Sequence, residues 1–191
     1  VAAAGLWGLS RVAGLEEPDR VGHRIDVCGD LDVSGLVDAL VRSGTESMQL
    51  DGGQLRVARL VPARRARGSA PLALDDGAIL VSGGLGALGR QIARWLAANG
   101  AQTLVLTGRT GAASAEARAL VDALTAGGTT VHVVAADVGT EEGAAAALAA
   151  APIRGIVHAA GASLDASLSQ QDASHLERAW AGKARGAWNL H

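Results

Sequence analysis

Residues 78–89 read Ala-Ile-Leu-Val-Ser-Gly-Gly-Leu-Gly-Ala-Leu-Gly. The apolar run from Ala78 to Val81 predicts a buried strand. Gly83, Gly84, Gly86 and Gly89 follow as a glycine-rich turn, and Arg90 to Asn99 continues with helical periodicity. Strand, glycine turn, helix is the context in which a GxGxxG pattern marks a dinucleotide site. The early glycines allow backbone angles closed to residues with a Cβ. Gly86 lets the main chain approach a pyrophosphate, and Gly89 lets the helix pack closely on the strand. The amides at the helix start then face phosphate oxygens with the positive end of the helix dipole behind them.

Downstream of this unit the pattern keeps alternating. Strands are expected at 103–107, 130–135 and 153–158, with helices at 87–99, 114–126, 141–150 and about 172–190. Such alternation implies an α/β fold, a doubly wound parallel sheet of Rossmann type with helices on both faces. Right-handed crossovers bring every strand's C-terminal end to one edge, where ligands bind. The glycine loop, Arg109, Asp137 and the stretch His158–Gly161 all fall at such ends.

Each of these positions suggests a contact. A carboxylate at the end of the second strand would accept the ribose hydroxyls of NAD, whereas a cation accommodates the 2′-phosphate of NADP. This chain has Arg109, followed by Thr110, and no nearby carboxylate, which favours NADPH. Arg109 as a merely solvated residue fits less well, because cations are not favoured beside a helix N-terminus. In Ala136-Asp137-Val138, the Asp137 carboxylate suits either an adenine amino group or the cap of the next helix. His158-Ala159-Ala160-Gly161 closes the fourth strand with small residues that leave room for a cofactor, and His158 carries no expected catalytic role.

The rest of the chain contributes less chemistry. Residues 64–77 combine Arg64, Arg65 and Arg67 with Pro71 and small residues, as expected of a solvated linker. Before it, a short helix or turn is expected at Leu6–Val12, a strand at Arg24–Val27, and a helix at Leu36–Arg42 opened by Asp32 or Ser34. Strands at Ser47–Leu50 and Leu55–Val61 flank Asp51-Gly52-Gly53, a hairpin signal. His23 and Cys28 do not make up a metal site.

Composition sets the outer bounds. With 191 residues, 49% of them hydrophobic, the chain can bury a core, yet it has no Phe, no Tyr and only four Trp. A net charge of −2 gives no reason to expect nucleic acid or an anionic membrane. No apolar run reaches the roughly 18 residues of a membrane span. One cysteine, Cys28, excludes an internal disulfide and suits a reducing, cytoplasmic setting. The absence of a starting Met and the apparent helix at His191 suggest a piece of a longer polypeptide.

Taken together, the motifs resemble the short-chain dehydrogenase/reductase superfamily, and most closely the ketoreductase domains of polyketide synthases. The matching stretches are Gly83-Gly84-Leu85-Gly86-Ala87-Leu88-Gly89, Thr107-Gly108-Arg109, Ala136-Asp137-Val138 and Val157-His158-Ala159-Ala160-Gly161. Lys183-Ala184-Arg185-Gly186-Ala187-Trp188-Asn189-Leu190-His191 is similar to the family's KxxGxWNLH segment. Leu6–Val12 and Leu15-Glu16-Glu17-Pro18 resemble its structural subdomain, a degenerate Rossmann-like half without a cofactor site. The resemblance implies a structural subdomain over 1–63 and an NADPH-binding subdomain over 78–191. It also implies reduction of a β-ketoacyl thioester, carried on an acyl carrier protein among neighbouring synthase domains, to the β-hydroxyacyl thioester.

The family's catalytic group is a Lys, a Ser, a Tyr and an Asn, and the Lys position is Lys183 here. By the same resemblance its ammonium would support the proton relay and lower the pKa of the tyrosine that protonates the developing alkoxide. On spacing alone Lys183 reads as a solvated cation. The Ser and the Tyr-x-x-x-Asn belong beyond His191, and these 191 residues contain no Tyr, so they do not complete the tetrad. Ser163-Leu164-Asp165 stands where many members that make the D-hydroxy product have Leu-Asp-Asp. Asp165 matches its last residue, which leans toward that product, and is equally readable as a solvated loop carboxylate. The competing reading is an inactive, scaffolding ketoreductase domain. A freestanding dehydrogenase is disfavoured by the 63 residues ahead of the linker.

Overall fold

The computed structural model describes residues 4–30, 32–41, 47–62, 74 and 77–191. They fall into two compact units, one within Val1–Gly68 together with Ala166–Gln170, the other within Ser69–Asp165 together with Gln171–His191. Ala166–Gln170, expected inside the second unit, thus belongs with the first. The predicted linker 64–77 lies outside the described residues except for Leu74 and Gly77.

The first unit holds helix α1 (Ala4–Glu16), strand β1 (Arg24–Cys28), helix α2 (Val33–Leu40) and strands β2 (Ser47–Asp51) and β3 (Gln54–Val57). Its sheet runs β1-β2-β3, parallel between β1 and β2 and antiparallel between β2 and β3. Gly52 and Gly53 form the two-residue hairpin turn at φ 54° and 76°, left-handed angles that match the twist of the flanking strands. Three boundaries differ from expectation. Helix α1 runs well past Leu6–Val12 at both ends, and α2 starts at Val33 behind Asp32. Strand β3 stops at Val57, opposite Met48 of β2, and Leu60 and Val61 beyond it are exposed.

The second unit contains β4 (Ala78–Ser82), α3 (Ala87–Ala98), β5 (Thr103–Gly108), α4 (Ala115–Ala126), β6 (Thr130–Ala135), α5 (Glu141–Leu148) and β7 (Ile153–His158). Helix α6 (Ala173–Trp180), a π turn (Ala181–Arg185) and helix α7 (Gly186–Leu190) complete it. The sheet is wholly parallel in the order β6-β5-β4-β7. Strand alternation sends the side chains of β4 and β5 to opposite faces. Ile79, Val81, Leu104 and Leu106 pack with Ala93 and Leu96 of α3 and Leu120 and Leu124 of α4. Leu80 and Val105 pack on the other face with Ala144 and Ala147 of α5 and Leu190 of α7. This double winding is the expected α/β class. Successive strands go outward from β4 to β5 and β6, then β7 returns to β4's other side. The order therefore reverses at the C-terminal end of β4, where the glycine loop sits.

Caps fix the helix starts. Ser114 Oγ accepts from Ala117 N at 3.1 Å to open α4, and Thr140 Oγ1 accepts from Gly143 N at 3.1 Å to open α5. The predicted single helix over 172–190 is instead two α segments joined by the π turn. Among the described residues no helix is long and apolar enough to cross a membrane.

Candidate functional site

Strand β4 ends at the buried Ser82, and the chain turns at Gly83 with φ +67°. A Cβ on Gly83 would lie 2.8 Å from Ala159 O and 2.9 Å from Ala160 Cα, so the turn rests on the backbone leaving β7. Gly84 N donates to Thr107 O and to Val81 O, each at 3.1 Å, which ties the loop to β5. Gly86 is the N-cap of α3, and its N–H donates to Gly83 O at 3.0 Å. Gly89 meets the loop most closely: a Cβ there would strike Gly83 O and would lie 2.6 Å from Gly84 Cα. The first turn of α3 is thereby drawn down onto the loop.

A cleft of about 620 Å³ opens above this edge. Gly83, Gly86, Ala87, Leu88 and Gly89 form its floor, with Thr107–Arg109 and Ala136–Val138 along one side. Ala159–Ala162 and Leu164 line it beyond β7, and Arg178, Ala181 and Gly182 close it from α6 and the π turn. Eleven of the expected contact residues therefore meet in one space: Gly83, Gly86, Ala87, Leu88, Gly89, Arg109, Asp137, Val138, Ala159, Ala160 and Gly161.

Others lie off its lining. Leu85 is a core residue that turns into the α3/α4 side of the sheet, and Gly84 serves the tie to β5. Thr110, His158, Lys183 and Asp165 do not line the cleft either. Asp137 does not cap α5, since Thr140 does so. Its Oδ1 accepts from Gly139 N at 2.9 Å in a local turn. Leu164 lines the cleft, and the exposed Asp165 next to it does not.

Lys183 lies on the π turn with its stem across Gly161. A Cβ added to Gly161 would be 3.1 Å from Lys183 Cγ and 3.2 Å from its Cε. The side chain is exposed. His158 stands beneath the same turn, with Nδ1 2.6 Å from Ser82 Oγ and Nε2 3.1 Å from Lys183 O. Asn189 Nδ2 donates to Val138 O at 3.0 Å and binds α7 to the loop after β6. Asp172 caps α6, and its carboxyl is held far below its ordinary range. The Ser174 hydroxyl contributes most, followed by the His175 ring and amide.

Arg178 is the charged lining residue that sequence reasoning missed, together with the small residues Ala162, Ala181 and Gly182. The Arg178 Nε donates to Ser174 O at 3.2 Å, which lays the guanidinium stem along α6. Its position depends on where the π turn sets α6, and no local pattern signals that.

The glycine cradle fits a dinucleotide. Backbone fills the space where side chains would stand at Gly83 and Gly89, and the small residues Ala159–Gly161 keep the facing wall low. A parallel, doubly wound sheet with such a loop at its reversal point defines the dinucleotide-binding class of α/β fold. Residues 77–191 match the model of the KR domain, and the chain belongs to that family, the ketoreductase domains of polyketide synthases. Such domains are oxidoreductases of the short-chain dehydrogenase/reductase type and bind a nicotinamide cofactor.

The chain is 37% identical over 198 residues to polyketide synthase GfsA of Streptomyces halstedii, matching 98% of this chain and 3% of that protein. It is 38% identical over 199 residues to erythronolide synthase EryA3 of Saccharopolyspora erythraea, matching 99% of this chain and 6% of that protein. Its fold is similar to that of PlmKR1, a ketoreductase from the first module of phoslactomycin biosynthesis in Streptomyces sp. HK803. The TM-score is 0.85 at 36% identity, over 98% of this chain and 46% of that one.

Proposed function

We propose that these residues form the NADPH-binding portion of a ketoreductase. Its reaction is reduction of a β-ketoacyl thioester, presented by an acyl carrier protein, to the β-hydroxyacyl thioester. The observation that carries this reading is the meeting of the glycine cradle, Arg109, Asp137 and Gly161 in one cleft. The first-turn amides of α3 would receive the pyrophosphate, where unsatisfied N–H groups and the helix dipole favour negative charge. Arg109 would pair with the 2′-phosphate, a site at which a carboxylate would repel it. The second Asp137 oxygen remains for the adenine amino group. Ala159, Ala160 and Gly161 would leave the nicotinamide end unobstructed beside Lys183.

When bound, NADPH supplies the hydride that reduces the carbonyl carbon. Lys183, whose stem crosses the cleft residue Gly161, would favour the ionised form of a neighbouring phenol and stabilise developing negative charge. The proton donor itself is not among these residues, which include no Tyr. The stretch Ser163–Asp165 is the part of this chain suited to influence product configuration, through Leu164 at the cleft and Asp165 beside it. Its small share of the synthase relatives supports neighbouring domains as partners in the same polypeptide.

The test is turnover of a β-ketoacyl thioester by the full-length protein, followed by loss of NADPH absorbance. Turnover with NADPH is expected to fall by about 10²-fold or more in Lys183→Ala, the range of a lost acid–base group. Wild-type turnover in that variant would remove Lys183 from the mechanism.

A further inference from the structure

We propose that His158 is a positioning residue. Held as the Nε2–H tautomer between Ser82 and the Lys183 carbonyl, it sets the π turn so that the Lys183 stem crosses Gly161. This rests on the ketoreductase reading above, in which Lys183 acts at the cleft.

The hydrogen-bond inventory fixes the tautomer. Lys183 O can only accept, so the Nε2 facing it at 3.1 Å carries the proton. In the neutral ring Nδ1 is then an acceptor, and its partner at 2.6 Å, Ser82 Oγ, donates to it. The serine oxygen in turn accepts from Ala160 N at 3.4 Å. Every donor meets an acceptor only in this arrangement. With the proton on Nδ1 instead, Nε2 and Lys183 O would face each other as two acceptors, and the Ser82 hydroxyl, wholly buried, would lose its outlet.

The geometry shows what the link holds. It joins the ends of β4 and β7 to a helix segment whose regular ladder is interrupted. Gly186 N reaches Ala181 O with π spacing and Lys183 O with tighter spacing, so the turn's own bonds leave its register unsettled. The imidazole also fills the space under Gly186, where an added Cβ would lie 3.1 Å from His158 Cε1. Gly182 packs over Gly161, where its own Cβ would sit 3.4 Å from Gly161 Cα. The turn is thus supported at Gly182, Lys183 O and Gly186. The Arg185–Glu177 ion pair, at 2.7 Å, ties the turn to α6, whereas the bond to Lys183 O is directed from the end of β7 and acts on the residue whose side chain enters the chemistry.

The experiment uses the full-length protein. In His158→Leu, which removes both ring bonds at similar volume, kcat is expected to fall about tenfold while NADPH affinity, read by fluorescence titration, stays within about twofold. A tenfold loss corresponds to about 1.4 kcal/mol, close to one positioned hydrogen bond. In a Lys183→Ala background the same substitution is expected to cost nothing more, because its effect acts through Lys183. Additive losses, or a fall in NADPH affinity as large as that in kcat, would make His158 a packing residue only. Should His158→Leu fold poorly, Ser82→Ala removes one end of the link and is expected to lower kcat less, again with no effect in the Lys183→Ala background. Nitrogen-15 spectra of the wild-type ring decide the tautomer independently. A proton on Nδ1 with Lys183→Ala inactive overturns this inference alone. Lys183→Ala with full turnover overturns the reading beneath it, whatever the ring shows.

Discussion

Replacing Gly89 by Ala tests the glycine cradle at the point of closest approach. The new methyl would strike Gly83 O and lie 2.6 Å from Gly84 Cα and 2.7 Å from Gly83 C. All three are backbone atoms, so no side-chain tip can swing away. Carbon atoms in ordinary contact stand about 3.5–4.0 Å apart, which requires α3 to withdraw from the loop by about 1 Å. Over-packing of this kind costs about 1–3 kcal/mol. The better helix propensity of Ala returns up to about 1 kcal/mol. The net is a destabilisation of about 1 kcal/mol, a fall in Tm of about 2–4 °C for a chain of this size.

Binding should suffer more than stability. A displacement of about 1 Å breaks at least one amide contact to a phosphate, and a charge-assisted hydrogen bond is worth about 1.5–3 kcal/mol. NADPH affinity should therefore drop by about tenfold to a hundredfold. The assay pairs a fluorescence titration with thermal melts of the full-length protein. Gly100→Ala is the control: at φ +101° it is strained, but it lies at the far end of α3 with open space around its Cβ. It should lose about 1–2 kcal/mol of stability and no affinity. Gly89→Ala binding NADPH as tightly as the wild type would refute the close-approach argument.

Two further outcomes follow from the same geometry. Arg109→Ala should lower the preference for NADPH over NADH by about tenfold or more, the value of one charge-assisted bond, as read by competing titrations; an unchanged ratio would end the 2′-phosphate assignment. At the start of α6, the Asp172 carboxyl lies below its ordinary value of 3.8, chiefly through the Ser174 hydroxyl and then His175. Its cap should therefore act in full above about pH 4 and weaken only as pH falls through the depressed value. The Asp172 carboxyl carbon resonance should titrate only in strong acid, and a midpoint at its ordinary value would refute the depressed assignment.

How much of this could be read from the residues depended on range. The unit from Ala78 to Ala98 was legible because strand, glycine turn and helix are adjacent in sequence and each has its own pattern. The same holds for the Asp51-Gly52-Gly53 hairpin. Asp137 was readable as a strand-end carboxylate, but its role as a cap was not separable from that of Thr140 until both were placed. Leu85 sits inside the glycine motif yet turns to the core, since a loop has two sides and the pattern does not say which. The π turn and Arg178 were illegible. Residues 172–190 read as one helix in sequence, and what packs against the π turn, Gly161, His158 and Gly139, lies far away in sequence. Ala166–Gln170 joined the other unit for a similar reason, as Leu168 N donates to Glu16 Oε2 at 2.6 Å across 152 positions.

The aliphatic core has an optical consequence. With neither Phe nor Tyr, and with all four Trp outside the buried core, the packed interior contributes almost nothing to near-ultraviolet absorption or emission. The signal comes from the periphery. Trp180 and Trp188, exposed by 51% and 76%, bracket the π turn on either side of Lys183. Intrinsic fluorescence in this protein is therefore poorly suited to reporting the melting of the sheet. With Trp7 on α1 and Trp95 on α3 replaced, the remaining emission would be a built-in gauge of the helix that closes the cleft.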